Sequence, residues 1–405
     1  MKTKICRINY FKELKFVFLV LVSGLISCSE NKTEIPEQKK DFCTSIHRND
    51  STTLSKELEP VAELMKNKTG VYVLEDGGGA MVARAWLSEY AEKTIDIQYF
   101  IFSIDNVGLI ACDYLVRAAD RGVKVRILVD DMMVDAGSHE ILTLNSHENI
   151  SIKIYNPGTN IGKNLFQKIS KFSTDFAGAN QRMHNKTFTV DGKVTITGGR
   201  NIADEYFDYD HEYNFRDRDV LLLGNVTTRI QNSFEQFWND SLSVPVTELI
   251  KEEGADFTAT DRFERLHQYA CNPENFWPQV RDKIKDLPLA FQSIQKSGDL
   301  VWLDSVYFVS DFPGKQDKKT NLDPFSTLAL IDLVKNAKTS IDIQSPYLIT
   351  TQLGEKLFAD AVKRGVKVRI LTNSLASTDN LEAFSGYQRC RKKLLETGIR
   401  IFEFK

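Results

Sequence analysis

Residues 184–191 of this 405-residue chain read His-Asn-Lys-Thr-Phe-Thr-Val-Asp, so His184, Lys186 and Asp191 stand in an H-x-K-x4-D spacing. Gly198-Gly199-Arg200-Asn201 follows after a short apolar stretch. In extended backbone, residues i and i+2 share a face, which sets the imidazole of His184 beside the ammonium of Lys186. A nucleophile and a fixed cation then meet one phosphate, and phosphodiester chemistry suits that pair. A His-x-Lys strand also has a structural reading, and the Gly-Gly-Arg-Asn block is what weighs against it.

A phosphodiester resists attack because its oxygens are negative. An enzyme without a metal must therefore supply a nucleophile, donors for the phosphoryl oxygens and an acid for the departing alkoxide. His184 is the nucleophile these residues offer, with Lys186 and Asn201 as donors. Gly198 and Gly199 let backbone approach the phosphate closely. The other imidazole nitrogen needs an acceptor to fix the tautomer. Asp191 completes the triplet, yet an Asp before Gly192 is ordinary turn chemistry, and it reads as a brace for the strand and its turn rather than as a group that touches substrate.

The stretch Arg182-Met183-His184-Asn185-Lys186 together with Gly198 through Phe207 resembles the phospholipase D superfamily, and within it the cardiolipin synthase C-like branch. That resemblance implies tandem α/β domains with mixed β-sheet flanked by helices, each domain bringing one H-x-K-x4-D motif to a shared cleft. It implies a phosphohistidine intermediate on His184, with the second-motif histidine as the acid. Glu212, eleven residues beyond Asn201, matches the carboxylate that orients the nucleophile, and Glu205 is the fallback. It implies no cofactor and no metal. His211 and His139 read as surface residues rather than substitutes for the second histidine.

An internal repeat supports this organisation. Residues 121–128, Arg-Gly-Val-Lys-Val-Arg-Ile-Leu, recur unchanged as residues 364–371, an offset of 243 residues from Arg121 to Arg364. The preceding strands also match, Thr94-Ile95-Asp96-Ile97-Gln98 against Ser340-Ile341-Asp342-Ile343-Gln344. In the first copy His184 comes 63 residues after Arg121, whereas 41 residues follow Arg364. The second domain is therefore expected to be incomplete and its motif missing. A homodimer pairing two His184 copies is the alternative source of a second histidine.

Apolar runs near 95–102, 123–129, 150–155, 187–190, 194–197 and 220–223 predict buried strands. Helical patterns over 108–120, 139–146 and 226–238 alternate with them, which predicts a mixed sheet covered on both faces. The boundaries expected are a signal segment over 1–28, a tether over 29–68, a first domain over 69–246, a bridging helical segment over 247–299 and a second domain from 300 to 405. Ser345-Pro346-Tyr347 resembles the stretch that lines the cleft in cardiolipin synthase relatives.

The amino terminus places Lys2, Lys4, Arg7, Lys12 and Lys15 before an apolar run from Phe16 to Ile26, too short for a comfortable span and shaped like a secretory signal. Leu25-Ile26-Ser27-Cys28 resembles a bacterial lipobox, which implies lipidation of Cys28 and a lipoprotein of a bacterial cell envelope. The alternative is an uncleaved signal anchor. Both readings put the folded body at a membrane.

At 42% hydrophobic and 26% charged the chain is compositionally globular, and a net charge of −3 provides no global attraction to nucleic acid. Cys43, Cys112, Cys271 and Cys390 show no paired spacing, so no disulfide framework or zinc site is expected. Residues 160–172 carry Ile161, Leu165, Ile169 and Phe172 at helical spacing with Lys163, Lys168 and Lys171 nearby. They fit either an interfacial helix or a core-packed one. The expected activity is transfer of a phosphatidyl group between membrane phospholipids, most simply toward cardiolipin. The alternatives are a phospholipase or nuclease releasing to water, and an inactive lipid-binding lipoprotein.

Overall fold

The computed structural model describes residues 42–48, 51–134, 138–157, 182–210, 212–250, 260–285, 287–314 and 325–405. Cys28, residues 29–41 of the expected tether, residues 160–172 and His211 lie outside these residues, whereas 42–48 and 51–68, also expected to be tether, form short helices and bury Ile46, Leu54, Leu58 and Val61 in the main core. Two sheets organise the rest. The larger contains β1 (Thr69–Leu74), β2 (Thr94–Phe102), β3 (Lys124–Val134), β4 (Ile150–Tyr155), β5 (Thr187–Val190), β6 (Val194–Gly198), β7 (Asp219–Gly224), β8 (Ser243–Pro245) and β9 (Val301–Leu303). Their order is β8-β4-β3-β2-β5-β6-β7-β1-β9, and the smaller sheet is β10 (Ser340–Gln344), β11 (Lys367–Asn373) and β12 (Arg400–Phe404). All six strands read from the sequence are present.

β2, β3 and β4 are parallel, while β5 pairs antiparallel with β2 and starts an antiparallel run through β6 and β7. Parallel strands need long crossovers, and helix Asn106–Asp120 supplies the one between β2 and β3. Asp105 caps that helix by accepting from Gly108 N at 3.0 Å, and Gly122, at φ +91°, ends it in the left-handed region. The repeat reproduces this device. Gly365 has φ +86° after helix Gln352–Lys363, and β11 then runs parallel between β10 and β12.

The first arginine of the octapeptide has a stated job in both copies. Arg121 Nη2 donates to the carbonyls of Ser88 and Glu89, at the end of helix Gly77–Tyr90. Arg364 Nη2 donates to Val334 O, near the end of helix Phe325–Asn336. A guanidinium on late helical carbonyls satisfies groups the helix leaves open and complements its dipole.

One core, with Ile95, Ile97, Tyr99, Val125, Ile127, Phe188, Ile196 and Leu221 from the sheet, joins Trp86 and Tyr90 from helix Gly77–Tyr90. The segment over 260–297 is helical as read, but it packs into this core through Phe276, Val280, Ile284 and Phe291, with the Phe291 ring stacked on Trp86 at 5.3 Å. Val301–Leu303 pairs with β1, so the change from the larger sheet to the smaller falls between Leu303 and Ser340. A second, smaller core gathers Val366, Val368, Ile370, Tyr387 and Leu394.

One reading from the cysteines needs correction. Cys43 and Cys271 are paired as a disulfide across a separation of 228 residues. The pairing was invisible in the sequence because no local spacing encodes a contact made by the fold. Cys112 and Cys390 are buried.

Candidate active site

The site forms where the parallel half of the large sheet meets the antiparallel half. His184 and Lys186 lie in the lead-in to β5, just before the strand proper, opposite the carboxyl end of β2. Lys186 is 7% exposed, and its Nζ sits 3.3 Å from His184 Nδ1 and 3.1 Å from His184 O, so extended backbone does bring the two side chains together. Thr197 Oγ1 on β6 donates to Lys186 O at 2.8 Å and holds the lead-in against its neighbour.

Phe100 is the residue sequence reasoning missed on β2. The register with β3 shifts between Tyr99 and Ile101, and this irregularity places the Phe100 ring 4.7 Å from the His184 ring and 5.8 Å from Lys186 Nζ. Bulges re-aim side chains near active sites, and here the result is an aromatic floor under imidazole and ammonium. Only the slip of register could have signalled it, and a single sequence does not show one.

Burial lowers Lys186 to about 8, with Asp217 and Asp219 acting in the opposite sense. A lysine at that value is poised to gain a full charge when a phosphate arrives. Asp217 itself is raised, chiefly by burial, with Arg200 pulling it back. Asp219 opens β7 and Asp217 precedes it by two residues; neither was among the residues singled out beforehand. Arg218 sits between them, so the Asp-x-Asp alternation puts both on one face.

The Gly-Gly-Arg-Asn block turns out to be a brace as much as a binding loop. A Cβ on Gly199 would stand 2.1 Å from Asp217 Oδ1, so the chain needs glycine there to admit the carboxylate. Arg200 Nη1 and Nη2 donate to Leu74 O and Glu75 O, each at 3.0 Å, and its backbone N–H donates to Asp219 Oδ1 at 3.2 Å. Arg84 Nη2 meets the other oxygen of Asp219 at 2.8 Å. Asn201 is 2% exposed, its Oδ1 accepts from Ile101 N at 3.0 Å, and its side chain is hydrogen bonded to the Tyr206 hydroxyl. With the amide oxygen committed to β2, the NH2 group is the donor Asn201 can turn toward substrate.

Asp191, at φ +52°, sits away from this cluster. Its carboxylate accepts from the backbone N–H groups of Glu92, Lys93 and Thr94 at 3.0, 2.7 and 2.9 Å, and so ties the turn after β5 to the start of β2. Glu212 is exposed, its backbone N–H donating to Asp210 Oδ1 at 2.7 Å, and Glu205 is half-buried. His184 Nδ1 faces Lys186 Nζ.

The smaller sheet reaches the same region. A cleft of about 210 Å³ is lined by Glu75, Arg200, Phe215 and Asp217 from the first part and by Gln344 from the end of β10. Tyr347 Oη donates to Asp379 Oδ2 at 2.5 Å, and the hydroxyl is pushed up by burial, by Asp379 and by the nearby Tyr206 and Asp217. A separate cavity of about 400 Å³ is lined by apolar groups including Phe102, Leu109, Ile127, Val129, Ile152 and Phe263. Glu140, Arg262 and Arg265 also line it, so its wall is mostly but not wholly apolar.

Residues 88–238 and 330–405 match the family described as cardiolipin synthase, PLD-like domain. The chain belongs to that family. Cardiolipin synthase C of Escherichia coli is 33% identical over 346 residues, which is 85% of this chain and 71% of that protein. A protein of Helicobacter pylori is 35% identical over 341 residues, 84% of this chain and 66% of its relative, so the chain spans about two thirds of the length of the curated relatives it matches. The phosphatidylserine synthase of Haemophilus influenzae superposes with a TM-score of 0.51 at 12% identity, covering 86% of this chain and 77% of that one, a likeness of fold. The family thus supports the fold class and the phospholipase D kinship read from the motif. No described helix is long and apolar enough to cross a membrane.

Proposed function

We propose that this chain is the nucleophile-bearing part of a phosphatidyltransferase that forms cardiolipin or a related diphosphatidyl lipid. The observation that carries the reading is the His184–Lys186 pair, nucleophile and buried cation 3.3 Å apart on a phenylalanine floor. A His184 nitrogen attacks phosphorus, the N–P bond forms, and the ester P–O bond breaks as the alcohol leaves with a proton from an acid. An acceptor alcohol then gives up its proton to the conjugate base and attacks phosphorus, which breaks the N–P bond and frees the imidazole. Lys186 and the Asn201 amide stabilise the phosphoryl oxygens in both steps. Incoming phosphate competes for the Lys186 ammonium and draws it off His184 Nδ1, which frees that nitrogen for a carboxylate. Asp217 is the carboxylate we assign, in preference to the exposed Glu212.

The acid is the histidine of a second motif, and no other H-x-K occurs in these 405 residues. The smaller sheet, with Tyr347 and Gln344 at the cleft, is the half that would present it. The apolar cavity beside Phe102 suits acyl chains, and a lipid anchor at Cys28 would keep the cleft at a bilayer surface; both favour lipid over nucleic acid. The test uses the protein as cells make it, with phosphatidylglycerol labelled in phosphate. Wild type should yield an acid-labile labelled enzyme and diphosphatidyl product, and His184→Ala neither. Turnover retained by His184→Ala would overturn the reading. Cleavage of single-stranded DNA without lipid turnover would favour a nuclease instead.

A further inference from the structure

Cys43 and His47 stand four residues apart, as do His267 and Cys271 at the end of helix Thr260–Ala270. One helical turn sets each pair on a common face, and the fold brings the two faces together. The four ligand atoms lie within 4.8 Å of one another. Cys43 Sγ is 3.5 Å from His47 Nε2 and 3.5 Å from His267 Nε2, while Cys271 Sγ is 3.9 and 3.5 Å from the same two nitrogens. A tetrahedral zinc with sulfur at about 2.3 Å and nitrogen at about 2.0 Å separates its sulfur and nitrogen ligands by about 3.5 Å.

The far sides of both rings give an independent indication. His47 Nδ1 faces Glu89 Oε1 at 3.5 Å, and His267 Nδ1 faces Asp113 Oδ1 at 3.4 Å. The two carboxylate side chains are 1% and 2% exposed. Each imidazole thus brings Nε2 closest to the sulfurs and Nδ1 toward a buried carboxylate, with His267 Nδ1 also 3.9 Å from Cys271 Sγ. This is how metal-bound histidines are held, because the outer carboxylate fixes the tautomer and raises the basicity of the inner nitrogen. A disulfide by itself makes no use of two histidines so arranged.

We infer that Cys43, His47, His267 and Cys271 form a structural binding site for zinc or a similar borderline-soft divalent ion. Two thiolates and two imidazoles fill a tetrahedral set and leave no open position, so the site staples and does not catalyse. It clamps residues 42–48 to the helix over 260–270, with helix Asn106–Asp120 supplying Asp113 beneath. Metal and disulfide are exclusive states: the ion binds the reduced pair, both thiols losing a proton on binding, and thiol–disulfide exchange with an external disulfide, which leaves as two thiols, joins the two sulfurs and withdraws both ligands.

The experiment takes the full chain, reduces it, removes metal with a chelator and titrates zinc, then cobalt(II), while following metal content by mass spectrometry. The expected result is about one ion per chain, with sulfur-to-cobalt charge-transfer absorption. Cys271→His should keep the ion and lose part of that absorption, which controls for folding. His267→Ala should lose it, and Asp113→Asn should bind about 10–100-fold more weakly. Failure of the reduced, folded wild type to bind zinc, or undiminished binding by His267→Ala, would overturn the site. A chain isolated in the disulfide form enters the same titration after reduction, so the answer does not depend on how it was isolated.

Discussion

Asp96–Arg126 and Asp342–Arg369 occupy the same register in two parallel sheets, and each arginine Nε donates to its aspartate, at 2.6 and 2.5 Å. Their surroundings differ. Asp96 is 1% exposed and Arg126 25%, whereas Asp342 and Arg369 are 51% and 56% exposed. In the first copy helix Val226–Trp238 lies over the pair, with Glu235 taking Arg126 Nη2 at 2.5 Å and the rings of Phe234 and Trp238 at 4.9 and 5.5 Å from the guanidinium. No described helix does this for the second copy, and Phe402 and Phe404 on β12 remain half exposed. The repeat therefore encodes strands, turns and a charge pair, while elements outside the repeat decide whether that pair is a core or a surface feature.

The widest separation between the copies should come from deleting each arginine. Arg126→Ala strands Asp96 in the interior and removes the helix's cation, and should cost about 3 kcal/mol, read as a lower urea midpoint at unchanged slope. Arg369→Ala breaks an exposed pair and should leave the midpoint unmoved. Equal effects would mean that the covering helix is irrelevant to the charge.

A smaller loss should follow from Asp191→Ala. The first copy pins the start of β2 with three backbone hydrogen bonds to one carboxylate, and removing it should cost about 2 kcal/mol. The substitution also leaves alanine in the left-handed region. Because Asp191 does not touch the His184–Lys186 pair in this arrangement, turnover of the folded fraction should stay within about threefold of wild type. A collapse of turnover with normal stability would place Asp191 in the chemistry.

How much of this was legible beforehand follows from which interactions are local. The octapeptide, the capping and turn residues and the alternation of Ile95, Ile97 and Tyr99 are local, and they predicted the strands. H-x-K worked because period-two geometry is fixed by the backbone. Phe100 depends on a register slip, Asp217 on a loop returning to Gly199, and the Cys43–Cys271 pair on contacts 228 residues apart. None of these has a signature shorter than the fold. Glu212 was placed by spacing from Asn201, and a loop can hold spacing without delivering a side chain to the spacing's target.

The next effect is a shift of a pH profile. Lys186 titrates near 8 in the folded protein against an ordinary lysine value of about 10.4. Its charge, which the proposed phosphate contact needs, is therefore lost through pH 8, and kcat/KM should fall there. The sign for stability is opposite: between 8 and about 10.4 the unfolded chain holds the extra proton, so this group's contribution becomes more favourable as pH rises through that window. Asp217→Asn removes a carboxylate that supports the ammonium, and the falling limb should move to lower pH. Lys186→Arg, which stays charged, should lose that limb. A limb unmoved by both variants would belong to some other group.

The smallest expected effect tests what the second copy contributes to the site. Tyr347 follows β10, whose first-copy counterpart β2 carries Phe100, so the two copies present aromatic residues at the ends of equivalent strands. The Phe100 ring lies 4.7 Å from the His184 ring, whereas Tyr347 is 41% exposed and hydrogen bonded to Asp379. One hydrogen bond at a partly exposed position is worth about 0.5–1.5 kcal/mol, so Tyr347→Phe should change KM by no more than about tenfold and leave kcat unchanged. Phe100→Ala removes the floor under His184 and Lys186 and should lower kcat instead. Since a hydroxyl that only shapes the cleft acts equally on bound substrate and transition state, a fall in kcat for Tyr347→Phe would place the second copy's tyrosine in the reacting centre. The two halves would then share the chemistry as well as the topology.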